Sequence, residues 1–259
     1  MGSKADDDIT KITVKVWTTA WNQFNRKIRD ACLRRDHYLN RVLEVELPHL
    51  ETEVSMANSP EAERFVAARV EALERRPVSL ALRVKLVEQL NAICREKRIV
   101  RDAFFNRLFL LLAASPKVID RLYFFAMEGD WRTEVWSEFK HDGPFFQNVF
   151  YPLEQEIDPL WPLRESLRLD AERSGATRTV DPATGREIEV QRTLSGQLEP
   201  VYSIYTAPFD ENTLKGVDLR AMNVYTPDRL VPDSTASKTE QDYIDAFIEI
   251  MAKPEGAAA

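Results

Sequence analysis

Hydrophobic and polar residues alternate in two short stretches of the first half of the chain, which predicts two β-strands. The alternation runs over residues 12–16 and returns over residues 78–82, with a hydrophobic residue at every second position. In the first stretch, Thr13 and Lys15 then lie on the face opposite the hydrophobic one. The second stretch also allows one continuous helix over residues 80–90, and only the repeat described below favours the strand.

Each predicted strand is followed by hydrophobic positions at helical spacing. Thr18 or Thr19 can cap the first helix, which runs to about residue 33. Asp36 is placed to cap a second helix, which Pro48 bends or ends. The hydrophobic face of the first helix consists of Trp21, Phe24, Ile28 and Cys32. The remaining helical patterns cover residues 60–75, 90–98 and 104–114, the last capped by Asp102.

The two strand–helix–helix stretches are related by a shift of 66 residues. Residues 35–41 (RDHYLNR) return as residues 101–107 (RDAFFNR), and the predicted strands align under the same shift. One register without gaps across strand, first helix and second helix indicates a supersecondary unit that is used twice. A strand this short cannot bury its hydrophobic face alone. We therefore expect the two units to pair their strands antiparallel and to interlock their four helices.

This arrangement resembles the ribbon-helix-helix family of DNA-binding proteins (the Arc, MetJ and CopG type), here with two units in one chain. The resemblance covers about residues 10–115, and the family motif is loose. It implies a mainly α fold with short β-strands, a tandem ribbon-helix-helix pseudo-dimer followed by an α+β C-terminal region. The expected parts are a disordered lead (1–10), the tandem domain (11–116, with units about 11–54 and 78–115 and a helical linker 55–77) and the C-terminal region (117–259).

The resemblance also implies which residues contact DNA. In the family, the two-stranded ribbon enters the major groove and its outward side chains read base edges. A phosphate sits at the start of the second helix, where backbone N–H groups and the helix dipole attract it. The corresponding ribbon residues here are Thr13, Lys15, Ser79 and Arg83. The corresponding phosphate-site residues are Arg34, Arg35 and Arg101.

Other interpretations of these residues stay open. The strand residues could simply be solvated, and Arg35 and Arg101 could pair with carboxylates instead of phosphate. The repeated Asn-Arg pairs, residues 40–41 and 106–107, are expected to be structural and to bond across the two units. Because Ala81 replaces Lys15 in the second unit, the ribbon should read an asymmetric DNA site.

Net charge differs between the two halves of the 259-residue chain, whose length allows one to two domains. Residues 1–116 carry 20 Lys and Arg against 16 Asp and Glu, a net of +4, and residues 117–259 carry 15 against 26, a net of −11. This division is compatible with nucleic acid at one end and a different partner at the other. No hydrophobic run reaches membrane-spanning length, and the acidic N-terminus differs from a secretory signal, which predicts a cytoplasmic protein. Cys32 and Cys94 are predicted to be buried free thiols.

Residues suited to catalysis or metal binding are sparse. The three histidines, His37, His49 and His141, lack metal-ligand spacing, and there is no glycine-rich phosphate loop. We therefore expect that the protein is not an enzyme and binds no metal or cofactor. Carboxylates over residues 128–158 leave a nuclease as a minor alternative.

The C-terminal half predicts short helices with an aromatic core over residues 117–170 and a β-hairpin around residues 181–185. A long ordered loop over residues 196–236 and an amphipathic helix over residues 239–251 follow. The sequence as a whole predicts a protein that binds double-stranded DNA sequence-specifically. It would be either a transcription regulator such as a repressor or an accessory factor in the processing of plasmid or mobile-element DNA. The alternative is a protein-interaction or assembly module that uses the acidic C-terminal half for a protein partner. We also expect a homodimer.

Overall fold

The computed structural model describes residues 8–123, 158–161, 163–164, 167, 177–180, 187–192, 198–200, 203–209, 214 and 216–252. The fold is mainly helical with short β-strands, as predicted. Most of the predicted aromatic core (residues 124–157) and residues 1–7 of the predicted lead lie outside the described residues.

Two strand–helix–helix units occur in the first half, joined by one helix. The first unit consists of β1 (Ile9–Trp17), α1 (Thr18–Asp30) and α2 (Arg35–Glu53). After α3 (Pro60–Ala72), the second unit consists of β2 (Arg75–Arg83), α4 (Val84–Lys97) and α5 (Arg101–Ala113).

Several predicted boundaries need correction. Strand β1 already includes Ile9 and Thr10, so this part of the predicted disordered lead is wrong. The ambiguous stretch after residue 80 is a strand up to Arg83 and a helix from there on, because only the strand conformation lets it pair with β1. Pro48 does not end α2, which continues to Glu53.

The predicted side-chain caps of the repeated units are wrong. Thr18 is the first residue of α1, and Asp36 and Asp102 lie inside the first turns of α2 and α5. In the first turn, a carboxylate still interacts favourably with the positive end of the helix dipole. A side-chain cap does begin α3, where the Ser59 hydroxyl accepts a hydrogen bond from the backbone N–H of Ala62.

Strands β1 and β2 form an antiparallel ribbon whose register agrees with the 66-residue repeat. Thr13 pairs with Ser79, its own equivalent in the second unit, and Lys11 pairs with Ala81, the equivalent of Lys15. A pseudo-twofold axis therefore passes between Thr13 and Ser79 and relates the two units.

The two units interlock around one hydrophobic core. Helix α1 of the first unit packs on α5 of the second, and α2 of the first packs on α4 of the second. The ring of Phe109 lies 4.9 Å from that of Phe24 and 5.0 Å from that of Trp21. The ribbon covers this core with its buried inner side chains, Val14, Val16, Val78, Leu80 and Leu82. Each such side chain contributes about 1.5–3 kcal/mol when fully buried.

The second half adds several short elements, of which the 3₁₀ helix Leu219–Met222 packs on α3 and α5. They are α6 (Pro116–Tyr123), the antiparallel strands β3 (Thr177–Val180), β4 (Glu187–Arg192) and β5 (Leu198–Pro200), 3₁₀ helices at Leu219–Met222 and Asp228–Leu230, and α7 (Thr235–Ala252). Pairing of β3 with β4 confirms the predicted hairpin strands, and α7 begins four residues before the predicted terminal helix.

Both cysteines are free, and the prediction that their thiols are buried is wrong for Cys32. Cys32 is exposed just after α1, with a left-handed φ of 55°, and Cys94 is half-buried in α4. The helical pattern placed Cys32 on the hydrophobic face because it assumed that α1 continues to residue 33, whereas α1 ends at Asp30.

Candidate nucleic-acid interface

The outer face of the ribbon carries short polar and basic side chains. Lys11, Thr13, Lys15 and Ser79 are all exposed, while the alternate positions of both strands face the core. Thr13, Lys15 and Ser79 lie on this side, as their alternation predicts. Lys11 belongs to the same face but was missed, because the sequence was interpreted as a disordered lead up to residue 10 and a strand only from residue 12. Its signal was the same two-residue alternation, continued one step upstream.

The two lysines of this face lie on one strand only. The register places Lys11 opposite Ala81 and Lys15 opposite Pro77, with Ser79 between them on β2. Four residues of an extended strand separate the two lysine backbones by about 13 Å. At the centre of the outer face, positive charge therefore lies on β1, while Arg75 and Arg83 occupy the two ends of β2.

The structure does not place Arg83 beside the exposed residues at the centre of the outer ribbon face. It lies at the end of β2 opposite Ile9, and its guanidinium forms an ion pair with Glu44 of α2. Its backbone N–H donates to the side-chain oxygen of Asn40 at 2.7 Å. Its charge is therefore already compensated within the protein.

The arginines that begin the second helices reach across the pseudo-twofold axis to the centre of the ribbon. Arg35 donates to the backbone oxygen of Ser79 at 3.1 Å, and Arg101 donates to that of Thr13 at 3.3 Å. Arg35 also forms a two-point ion pair with Asp36, at 2.6 and 3.0 Å. The carboxylate alternative considered for Arg35 is therefore observed.

Arg34 occupies the N-cap position of α2 and is exposed. All three predicted phosphate-site arginines thus lie at the starts of α2 and α5. Of these, Arg35 and Arg101 contact the ribbon.

Two equivalent asparagines fasten each second helix to the strand of the other unit. Asn106 donates to the backbone oxygens of Asp102 (2.7 Å) and Lys15 (3.0 Å), and its Oδ1 accepts from the N–H of Trp17 (2.6 Å). Asn40 makes the three equivalent bonds, with Asp36, Ala81 and Arg83. The prediction that these asparagines bond across the units is confirmed.

The same prediction is wrong for the neighbouring arginines. Arg41 is 44% exposed and pairs with Glu44 one turn along its own helix. Its equivalent, Arg107, is fully buried and bonds to the C-terminal segment instead of the first unit. The difference arises because residues 204–209 and 219–222 cover α5 at this position.

Arg107 anchors that segment through backbone carbonyls. Its guanidinium donates to the oxygens of Ile204, Ala207 (2.7 Å) and Met222 (3.3 Å), and lies 3.8 Å from the ring centre of Phe209. Burial lowers the pKa of Arg107 from its ordinary value, and interactions with nearby tyrosines oppose this lowering. Its sequence signal was a lone charged residue inside an otherwise hydrophobic helix.

A buried charge cluster fastens the C-terminal half to the first unit. Arg164 donates to Glu46 (2.6 Å), Glu53 (2.7 Å) and Asp158 (2.7 Å), and the hydroxyl of Tyr205 also donates to Glu46. Glu46 has no exposed surface. This cluster has no counterpart in the second unit, where Leu112 and Ile119 occupy the positions equivalent to Glu46 and Glu53.

The environment shifts two carboxylates of this cluster in opposite directions. Burial raises the pKa of Glu46, although the charge and hydrogen bonds of Arg164 oppose that shift. Burial would also raise the pKa of Asp158, but the hydrogen bond from His49 and the charge of Arg164 outweigh it and lower that pKa. The cluster therefore acts as a structural clasp centred on one guanidinium.

Within the part of the chain that the structure describes, no group of three or more His, Cys, Asp or Glu side chains could hold a metal ion. Likewise, none of the described helices is long and hydrophobic enough to cross a membrane. No protein-family model, curated protein or solved structure matches the chain.

Proposed function

We propose that the chain is a sequence-specific DNA-binding protein with a tandem ribbon-helix-helix head, acting as a transcription regulator or as an accessory factor in mobile-element DNA processing. The observation that carries this proposal is the antiparallel ribbon centred on Thr13 and Ser79, with a buried hydrophobic face and a polar, basic outer face. Such a two-stranded ribbon has the width to enter the major groove of DNA.

The outer side chains have the chemistry for reading bases. The ammonium groups of Lys11 and Lys15 can donate to O6 and N7 of guanine, and the hydroxyls of Thr13 and Ser79 can donate or accept. Arg83 has the right chemistry too, but its pairing with Glu44 makes it the weaker candidate among the residues predicted from the sequence.

The target site should be asymmetric. Both lysines belong to β1, whereas β2 presents Pro77, Ser79 and Ala81 at the matching positions. A separation of about 13 Å along β1 corresponds to about four base pairs at 3.4 Å each. We therefore expect two guanine contacts about four base pairs apart, without a symmetric counterpart.

Phosphate contacts would come from the helix starts beside the ribbon. Arg35 and Arg101 place the first turns of α2 and α5 next to the ribbon centre, and Arg34 is exposed there. Free backbone N–H groups and the dipoles of these helices favour an anion at this position.

The described C-terminal residues leave this side open. Their polar contacts to α2 and α5 lie further along each helix, at Glu46, Glu53 and Arg107, and the ring of Tyr205 also packs on Phe104 near the start of α5. The described residues of the acidic half that are named above are thus held by the helices and not by the basic ribbon face.

The experiment is a binding titration with a fluorescent mixed-sequence DNA duplex at low salt. Replacing Lys11 and Lys15 by alanine should weaken binding at least tenfold, because each lost contact to a base or phosphate costs about 1–3 kcal/mol. A double variant of two exposed lysines elsewhere, Lys117→Ala and Lys238→Ala, makes the same change in net charge and should bind like the wild type. Equal affinity of the ribbon variant and the wild type would refute the proposal and favour the assembly-module alternative.

A further inference from the structure

The outer face of the ribbon ends in a hydrophobic side chain. Ile9, the first residue of β1, is 55% exposed and pairs with Arg83. Five large hydrophobic residues are exposed in the described part of the chain, and Ile9 is the only one of them in the two strand–helix–helix units. Its exposure is therefore a feature of the ribbon itself.

Ile9 belongs to the same face as the residues proposed to read DNA. It lies two residues before Lys11, so the alternation of the strand directs both side chains outward. Ala81 of β2 is the partner of Lys11 and the diagonal neighbour of Ile9. A hydrophobic end that consists of Ile9 and Ala81 thus borders Lys11.

The opposite end of the outer face has a different chemistry. The 66-residue shift makes Arg75 the equivalent of Ile9, and Arg75 pairs with Trp17, which is 9% exposed. At the Ile9 end, in contrast, the guanidinium of Arg83 is already held by Glu44. One end of the outer face therefore presents a hydrophobic group and the other end a basic one.

The duplex that the proposed function requires offers one group that fits the hydrophobic end. In the major groove, base edges present hydrogen-bonding atoms, and the hydrophobic group among them is the 5-methyl group of thymine. A hydrophobic protein surface, or a second copy of this chain, would also have to cover Lys11, whose charge would then be buried without a counter-charge. DNA instead supplies guanine acceptors and phosphates for that lysine in the same groove.

We propose that Ile9 contacts the 5-methyl group of a thymine and thereby fixes the direction in which the ribbon lies on its site. This inference rests on the proposed DNA-binding function and adds to it one base and an orientation. Two residues of an extended strand cover about 7 Å, or about two base pairs. The thymine therefore lies about two base pairs from the guanine contacted by Lys11, on the side away from Lys15.

The test compares thymine with uracil, which pairs in the same way and lacks only the 5-methyl group. The probe is a duplex carrying the site that the full-length chain selects from a random-sequence DNA library, and deoxyuridine replaces each thymine of this site in turn. At one position, about two base pairs outside a required guanine, the replacement should weaken binding of the wild type about fourfold, as expected for one buried methyl group.

Two variants assign this effect to Ile9. Ile9→Ala should bind the thymine and the uracil duplex with the same affinity, because its side chain no longer reaches the methyl group. Leu230→Ala shortens another exposed hydrophobic side chain, outside the two units, and should keep the wild-type preference for thymine. Circular dichroism of both variants should match the wild type, since both positions are exposed.

The outcomes separate this inference from the proposed function. A selected site without a thymine at this position, a wild type that binds both duplexes equally, or an Ile9→Ala variant that keeps the preference would overturn the inference while DNA binding stands. If the wild type selects no site at all, that result contradicts the proposed function and this inference with it.

Discussion

Removing the buried guanidinium of α5 should strongly destabilise the protein. In Arg107→Met, a hydrophobic side chain of similar length fills the site, so little cavity remains. The backbone oxygens of Ala207 and Met222 then lose this donor while staying buried, and the oxygen of Ile204 keeps only its bond from the hydroxyl of Tyr123. Each unsatisfied acceptor costs about 1–3 kcal/mol, and part of the sum is offset because the guanidinium no longer has to be desolvated. We expect a net loss of about 3 kcal/mol in the free energy of unfolding.

The repeat supplies a matched control. Arg41→Met makes the same chemical change at the equivalent position of the first unit, where the side chain is 44% exposed and its ion pair with Glu44 lies at the surface. Exposed pairs of this kind contribute about 0–1 kcal/mol, so this variant should stay close to the wild type.

Urea unfolding followed by circular dichroism measures both variants, and the shift of the midpoint reports the loss of stability. Limited proteolysis adds the location, since Arg107→Met should expose residues 203–209 and 219–222 to cleavage before the helices of the two units. If Arg107→Met unfolds at the same urea concentration as Arg41→Met, the carbonyl contacts do not hold the segment in place.

Further variants test the two other polar networks. Asn40→Ala and Asn106→Ala should each lower the free energy of unfolding by about 2 kcal/mol, because each leaves a backbone N–H and a carbonyl at the strand–helix junction without a partner. Clearly unequal losses in urea unfolding would contradict the pseudo-symmetry. Arg164→Met should cost about 3–5 kcal/mol, because buried carboxylates lose their counter-charge, and adding Glu46→Gln should recover part of it; no recovery in the double variant would argue against the clasp. The stabilising contribution of Asp158 should be present above its ordinary pKa of 3.8 and be lost as the pH falls through its lower folded pKa. The difference in free energy of unfolding between the wild type and Asp158→Asn, measured against pH, should therefore become smaller in acid. A difference that does not change with pH would contradict the lowered pKa.

The repeat made the central geometry predictable from sequence. Two stretches in one register imply paired strands and equivalent contacts, and both the Thr13–Ser79 pairing and the bonds of Asn40 and Asn106 follow that symmetry. These contacts depend on elements within the repeat itself, so their residues carry the signal twice.

Features that break the symmetry were not predictable in the same way. Arg41 and Arg107 are the same residue type at equivalent positions, but one is exposed and the other buried, because a segment about 100 residues further along covers only α5. The predicted cap of α1 failed for a related reason. At the start of this helix, the backbone N–H of Trp17 bonds to the side chain of Asn106 in a distant helix, a contact that the local sequence does not reveal.

The most direct test of the proposed DNA-binding function is a retention experiment with mixed genomic DNA fragments of the source organism. The full-length chain is immobilised, fragments are eluted with rising salt, and the retained set is sequenced. We predict that retained fragments share one non-palindromic site, that binding falls steeply and linearly with the logarithm of salt concentration, and that the variant lacking Lys11 and Lys15 retains no common site. No retention at the lowest salt would contradict DNA binding itself, and a palindromic site would contradict the asymmetry expected from two lysines that both lie on β1.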